Sequence, residues 1–147
     1  YHIIYNETLR DRVCAVSNKT HYNEMNVLSM HALIGAYQPQ GYEWVDELNQ
    51  VLAGNIEYFC AYAEKHWKGV AFSRPQGTYM VFLDCTEWCR EHGRDIQWLL
   101  DEGARVGVGY QDGRPFHGPC HIRVNLALPL SRVREACDRL DRYVFRV

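Results

Sequence analysis

The hydrophobic period of this chain changes once, and that change constrains the fold more than any other feature. Over residues 42–66, Val45, Leu48, Leu52, Ile56, Phe59 and Ala63 recur every three or four positions, which predicts one buried stripe on a long helix. Glu43, Glu47, Gln50, Glu57 and Glu64 fall largely off that stripe. Beyond Lys68 the pattern shortens into β-branched and aromatic runs, which predict strands over 69–73, 78–84, 104–110 and 121–126, with Arg74-Pro75-Gln76-Gly77 as the first turn. A helix over 94–102 is expected between the second and third strands. A last helix should follow Pro129, with Ser131 as a plausible N-cap and Val133, Ala136, Cys137, Leu140 and Val144 on one face. Helices and strands mix without strict β-α-β alternation, so the class is α+β and not a doubly wound sheet.

The first 40 residues read differently. Residues 1–5 have the composition of a strand and begin mid-pattern with no initiating Met, which suggests a removed leader or a piece of a longer polypeptide. Asn6 is placed to cap a helix carrying Leu9, Val13 and Val16, which the polar stretch 18–23 should end. A second helix, over 24–37, is apolar almost all round, with Met25, Val27, Leu28, Met30, Leu33, Ile34 and Tyr37. Such a helix needs cover on more than one side, which points to partner structure and to self-association where that cover is missing. The cluster Gln38-Pro39-Gln40-Gly41 reads as a turn.

Composition narrows the function classes. A net charge of -2 over 147 residues argues against a generic nucleic-acid binder, which gathers a basic excess on one face. No apolar run approaches the ~20 residues of a membrane span, and the first residues lack a signal-peptide pattern, so a cytoplasmic location is expected.

Several groups could carry chemistry. In the strand 121–126, Ile122, Val124 and Leu126 share one face and leave His121, Arg123 and Asn125 on the other. A guanidinium on a rigid strand suits bidentate recognition of a carboxylate, although a solvated face or a structural ion pair would give the same pattern. The six cysteines include no CxxC pair, and six reduced thiols is the simple reading. A looser set, Cys85, Cys89 and His92 with His117, Cys120 and His121, could in principle ligate a metal, but no metal is expected. Gly107-Val108-Gly109 fits no phosphate-loop motif and reads as a bulge in or at the end of a strand. The three lysines, Lys19, Lys65 and Lys68, have no obvious desolvated setting that would make one a nucleophile.

Four segments, in order, resemble one family. Asn23 to Met30 with Ala36-Tyr37, then Gly41 to Leu48 with Asn55, then Pro75-Gln76-Gly77-Thr78-Tyr79-Met80-Val81-Phe82-Leu83-Asp84, and last His121-Ile122-Arg123-Val124-Asn125-Leu126-Ala127-Leu128-Pro129 are similar to the C-terminal half of fold-type-I pyridoxal-phosphate enzymes. The similarity is to the class I/II aminotransferases, in their cystathionine β-lyase-like branch. The resemblance implies that residues 1–40 are the end of a large cofactor-binding domain, a strand and helices. Residues 41–147 would be a small substrate-clamping domain, a mixed or antiparallel sheet with helices packed on it. It implies an aminotransferase or C–S lyase acting on amino acids as a homodimer, with Arg123 holding the substrate α-carboxylate. Tyr22 and Asn23 would approach the neighbouring subunit's active site. The lysine that bonds pyridoxal 5'-phosphate would lie in the missing N-terminal large domain, so these residues alone should neither bind the cofactor nor catalyse. Two other readings remain: a stand-alone module binding a carboxylate or a protein, and a metal-binding domain.

Overall fold

Asn6 opens α1 (Glu7–Thr20) as its side chain suggests, its Oδ1 accepting the Leu9 amide at 2.9 Å. Asn26 does the same for α2 (Val27–Ala36), accepting from Ser29 at 2.8 Å, so that helix starts three residues later than its apolar pattern. The computed structural model describes residues 3–21 and 24–146. Two compact units divide the chain, Tyr1–Val45 and Asp46–Val147.

In the first unit three expectations change. Ile3, Ile4 and Tyr5 are not in a strand, since no other strand of the described residues pairs with them. Polar Asn18, Lys19 and Thr20 continue α1, because Thr20 bonds back to the Val16 carbonyl at 3.0 Å and polar side chains cost an exposed helix face little. Pro39 starts a helix instead of a turn: α3 (Pro39–His66) has proline at its first position, where a missing N–H costs nothing. No residue of α2 is buried, and Leu28 is 82% exposed.

In the second unit α3 buries Phe59 and Ala63 of its predicted stripe, together with Asn55 and Cys60, which lie outside it. The strands are β1 (Ala71–Phe72), β2 (Met80–Asp84), β3 (Gln111–Asp112) and β4 (His121–Asn125), all paired antiparallel in the order β1-β2-β4-β3. Val81, Leu83, Ile122 and Val124 form the buried face of the sheet. On it pack α3, α4 (Thr86–His92), α5 (Ile96–Arg105) and α6 (Leu130–Leu140), with Trp88, Leu99, Val133, Cys137 and Leu140 buried. The chain ends in a π-helical turn, Asp141–Phe145, whose Phe145 stacks on Trp67 at 4.5 Å and accepts the Trp88 indole N–H on its carbonyl at 3.3 Å.

The predicted strand over 104–110 does not exist. Helix α5 runs through Arg105 and is closed by a Schellman motif, with Val108 N–H bonded to the Gly103 carbonyl at 2.8 Å and Gly107 N–H to Ala104 at 3.0 Å. Gly107 has φ +74°, the left-handed conformation that this closure requires, and so it is a helix cap and not a bulge. Tyr110 then folds back, its hydroxyl donating to the Leu99 carbonyl, and its ring lies where a Cβ on Gly103 would sit, at 2.5 Å. Ser131 lies inside α6, which is preceded directly by Pro129. Among the described residues no helix is long and apolar enough to cross a membrane.

Candidate functional site

Strand β4 sets the site. Its alternation is as the sequence predicts: Ile122, Val124 and then Leu126 go into the core, while His121, Arg123 and Asn125 lie on the opposite face. Arg123 is flanked by Phe82 on β2 and Gln111 on β3, its two cross-strand partners. Gln111 Oε1 accepts from Arg123 Nε at 2.7 Å and also from Nη2. The Phe116 ring lies against the guanidinium, with Cζ 4.0 Å from the ring centroid.

Phe116 reaches that place because the β3–β4 connection is pinned at several points. Asp112 accepts from the Arg114 backbone at 2.9 Å and from Arg114 Nε at 2.7 Å, and Arg114 Nη2 reaches Gln97 on α5 at 3.0 Å. Those bonds, the backbone one foremost, hold the Asp112 carboxyl below the usual carboxylate range. Gly113 N–H bonds the His121 carbonyl at 2.8 Å, and a Cβ on Gly113 would come within 2.4 Å of that oxygen. A Cβ on Gly118 would meet the Phe82 ring at 2.5 Å, so both glycines allow the loop to lie on β4. The other flank of the site is fixed by Asn55, buried on α3, whose Nδ2 donates to the carbonyls of Leu126 at 2.9 Å and Leu128 at 2.7 Å.

Tyr79, Met80, Gly109, Tyr110, Gln111, Arg123 and Asn125 line a cleft of about 530 Å³. No carboxylate lines it, and Arg123 is half-buried with no acidic partner among the described residues. A larger groove of about 590 Å³ lies beside Arg74, but that guanidinium is already held by Glu64 at 2.9 Å and Glu57 at 2.5 Å. Its charge is neutralised within the protein. Arg123, by contrast, lines a cleft with amide and hydroxyl groups around it and no carboxylate in its lining, a setting suited to an anion.

The other candidates separate. His121 lies at the far end of the same strand face, its ring tilted against Phe82 with centroids 4.6 Å apart and its Nε2 3.9 Å from Asp84, and does not line the cleft. Asn125 lines it, with Oδ1 occupied by the Ala127 amide at 2.8 Å. Tyr22 and Asn23 lie outside the described residues. Cys85, Cys89, His92, His117, Cys120 and His121 do not converge as ligands, and no group of three or more such side chains does so among the described residues. Burial pushes the Cys89 thiol up to about 12, and the neighbouring Cys120 thiol adds to the shift, so Cys89 behaves as a core group. Sequence reasoning missed Gln111 and Phe116. The register that makes Gln111 the partner of Arg123 depends on a two-residue strand, too short to show a period.

The cofactor that the resemblance implies does not fit these residues. Lys19 and Lys65 are exposed in the last turns of α1 and α3, Lys68 is exposed beyond α3, and none lines the cleft. The cleft offers neither an amine to bond an aldehyde nor a carboxylate to pair with a pyridinium nitrogen.

No family model matches the chain. A protein of Mycobacterium leprae named "Putative cystathionine beta-lyase" is 33% identical over 118 residues, which cover 69% of this chain and 28% of that protein. Among solved structures, the pyridoxal-phosphate-bound C–S lyase of Staphylococcus hominis superposes with a TM-score of 0.80 at 24% identity, over 98% of this chain and 37% of that one. A pyridoxal-phosphate-bound "putative aminotransferase" of Clostridium difficile 630 gives 0.81 at 22%, over 96% and 36%. The chain therefore spans about a third of the length of the proteins it matches.

Proposed function

We propose that this chain, which has the α+β fold of the C-terminal portion of fold-type-I pyridoxal-phosphate enzymes, is the substrate-clamping part of a longer enzyme acting on amino acids. The observation that carries this reading is Arg123: a half-buried guanidinium on an inner strand, facing a cleft and not compensated by any carboxylate of the described residues. Such a charge is stabilised by an anion, and a planar fork selects a carboxylate that can take two parallel N–H bonds.

In this reading Arg123 binds the substrate α-carboxylate and fixes the amino acid's orientation by binding, moving no proton itself. The Phe116 ring covers one face of the guanidinium and keeps water from it. Asn55 and the Asp112–Arg114–Gln97 bonds keep β4 and its loop from shifting when the ligand arrives. The cofactor, the lysine that bonds it and the neighbouring subunit of a homodimer would come from the rest of the longer protein, which would also cover the bare faces of α2. The overall reaction would be amino-group transfer or cleavage of a C–S bond, and the mycobacterial relative's name favours the second. A cytoplasmic location fits this role.

The test is Arg123→Gln in the full-length, cofactor-loaded protein. The expected result is a fall in kcat/KM for an amino-acid substrate of about a hundredfold, the ordinary cost of truncating a charged hydrogen-bonded pair. Arg123→Lys should recover little, since an ammonium lacks the planar fork. Unchanged kinetics in both variants would overturn the assignment.

A further inference from the structure

The guanidinium of Arg123 is not symmetric in its surroundings. One oxygen, Gln111 Oε1, accepts from both Nε and Nη2, so the side edge of the fork is taken by the protein itself. One face is taken by Phe116. The end of the fork, between Nη1 and Nη2, is the edge that neither residue covers, and Tyr79 and Tyr110 line the cleft with it. Gln111 and Arg123 are directly opposed across the β3–β4 ladder, so the contact is fixed by register and does not depend on a flexible loop.

We propose that Gln111 is a positioning and selectivity residue for the Arg123 site: it turns the guanidinium so that a single carboxylate docks end-on, and its neutral amide leaves the positive charge free for that ligand. The inference rests on the reading of Arg123 as a carboxylate site. A glutamate could accept the same two bonds, but it would neutralise the guanidinium from within, as Glu57 and Glu64 do to Arg74 and as Asp112 does to Arg114. At position 111 the uncharged acceptor orients without competing. The ligand class that follows is a monocarboxylate group presented end-on, with the rest of the molecule extending away from β3.

The experiment uses the full-length, cofactor-loaded protein and two probes, L-alanine and L-alaninamide, with binding read as the change in the cofactor's visible absorbance. Gln111→Ala is expected to weaken L-alanine binding about tenfold, equivalent to one ordinary hydrogen-bonded contact, with little change for the amide. Gln111→Glu should weaken L-alanine about a hundredfold, and the ratio of variant to wild-type affinity should recover as pH falls through the carboxylate range and the introduced group protonates. A purely structural role would move both probes together and leave that ratio flat with pH, which would overturn the proposal. Tighter L-alanine binding in Gln111→Ala would overturn it too, since Gln111 would then be a latch that the substrate displaces. Arg123→Gln separates the two levels: loss of discrimination between the probes there, with no effect of either Gln111 variant, removes this inference alone, whereas retained discrimination removes the carboxylate site itself.

Discussion

Helices α2 and α6 come from the two units of the chain and reverse the usual link between hydrophobicity and burial. The sequence of α2, Val-Leu-Ser-Met-His-Ala-Leu-Ile-Gly-Ala, is nearly all apolar and none of it is buried. The sequence of α6 holds three arginines, a glutamate and an aspartate, yet Val133, Cys137 and Leu140 are fully buried. The difference is arrangement. In α6 the apolar residues share one face and the charges lie elsewhere, so one contact surface satisfies the helix. In α2 the apolar residues go round, and cover from one side would leave the remainder in water. The second unit thus contains its own core, while α2 in the first leaves its apolar residues exposed.

The sharpest way to break this contrast is thiol labelling. Cys14 in the first unit is exposed, whereas burial, with Asp138 and Asp141 nearby, pushes Cys137 up to about 12. Iodoacetamide should modify Cys14 at least a thousandfold faster than Cys137, scored by mass spectrometry against time, because the thiolate is the nucleophile and Cys137 is also inaccessible. Similar rates would mean that the second unit has no closed core.

Next in size is truncation. Trp88→Ala should cost about 4 kcal/mol in urea unfolding, since Trp88 is fully buried and bonds the Phe145 carbonyl. Leu28→Ser in α2 should change stability by under about 0.5 kcal/mol and should reduce self-association in sedimentation. A large loss from Leu28→Ser would show that α2 is covered after all.

Asn55→Ala comes third, at about 2 kcal/mol, because it removes two hydrogen bonds that a buried amide makes to the chain just after β4. It should also raise KM for the substrate in the full-length protein, which an equally destabilising change far from β4 would not do.

The smallest effect is with acid. Asp112 and Glu64 have depressed pKa values, from the Arg114 backbone amide and from the Arg74 hydrogen bond respectively. For Asp84, burial pushes upward but is outweighed by the bonds from Thr86 and by His121. A carboxyl depressed in the folded state contributes stability that is full above its unfolded value and is lost as pH falls through the folded one. Stability should therefore hold at neutral pH and fall gently below about pH 4, and Asp112→Asn should flatten that fall in pH-dependent unfolding.

The sequence makes some of this legible and hides the rest for identifiable reasons. The α3 stripe, the β2 and β4 alternation and the apolar face of α6 are long enough to show their periods, and with β4 came Arg123. Helix α4 was missed because seven residues give too short a window, and its capping residue, Cys85, makes no side-chain cap bond. The residues 104–110 misled because Val106 and Val108 flank a glycine whose positive φ is a three-dimensional fact. Asn55 appears in a stripe of apolar neighbours as an ordinary polar break. Its two partners lie more than seventy residues away, and only the fold reveals them.

The outer strands of the sheet, β1 and β3, are each two residues long. Such stubs give another chain almost nothing to extend by backbone pairing, so this sheet is poorly suited to templating fibrils. The exposed apolar surface of α2 is helical side chain instead. If the isolated chain clumps, a mild detergent or an apolar helical peptide should disperse it, and a β-strand blocker should not.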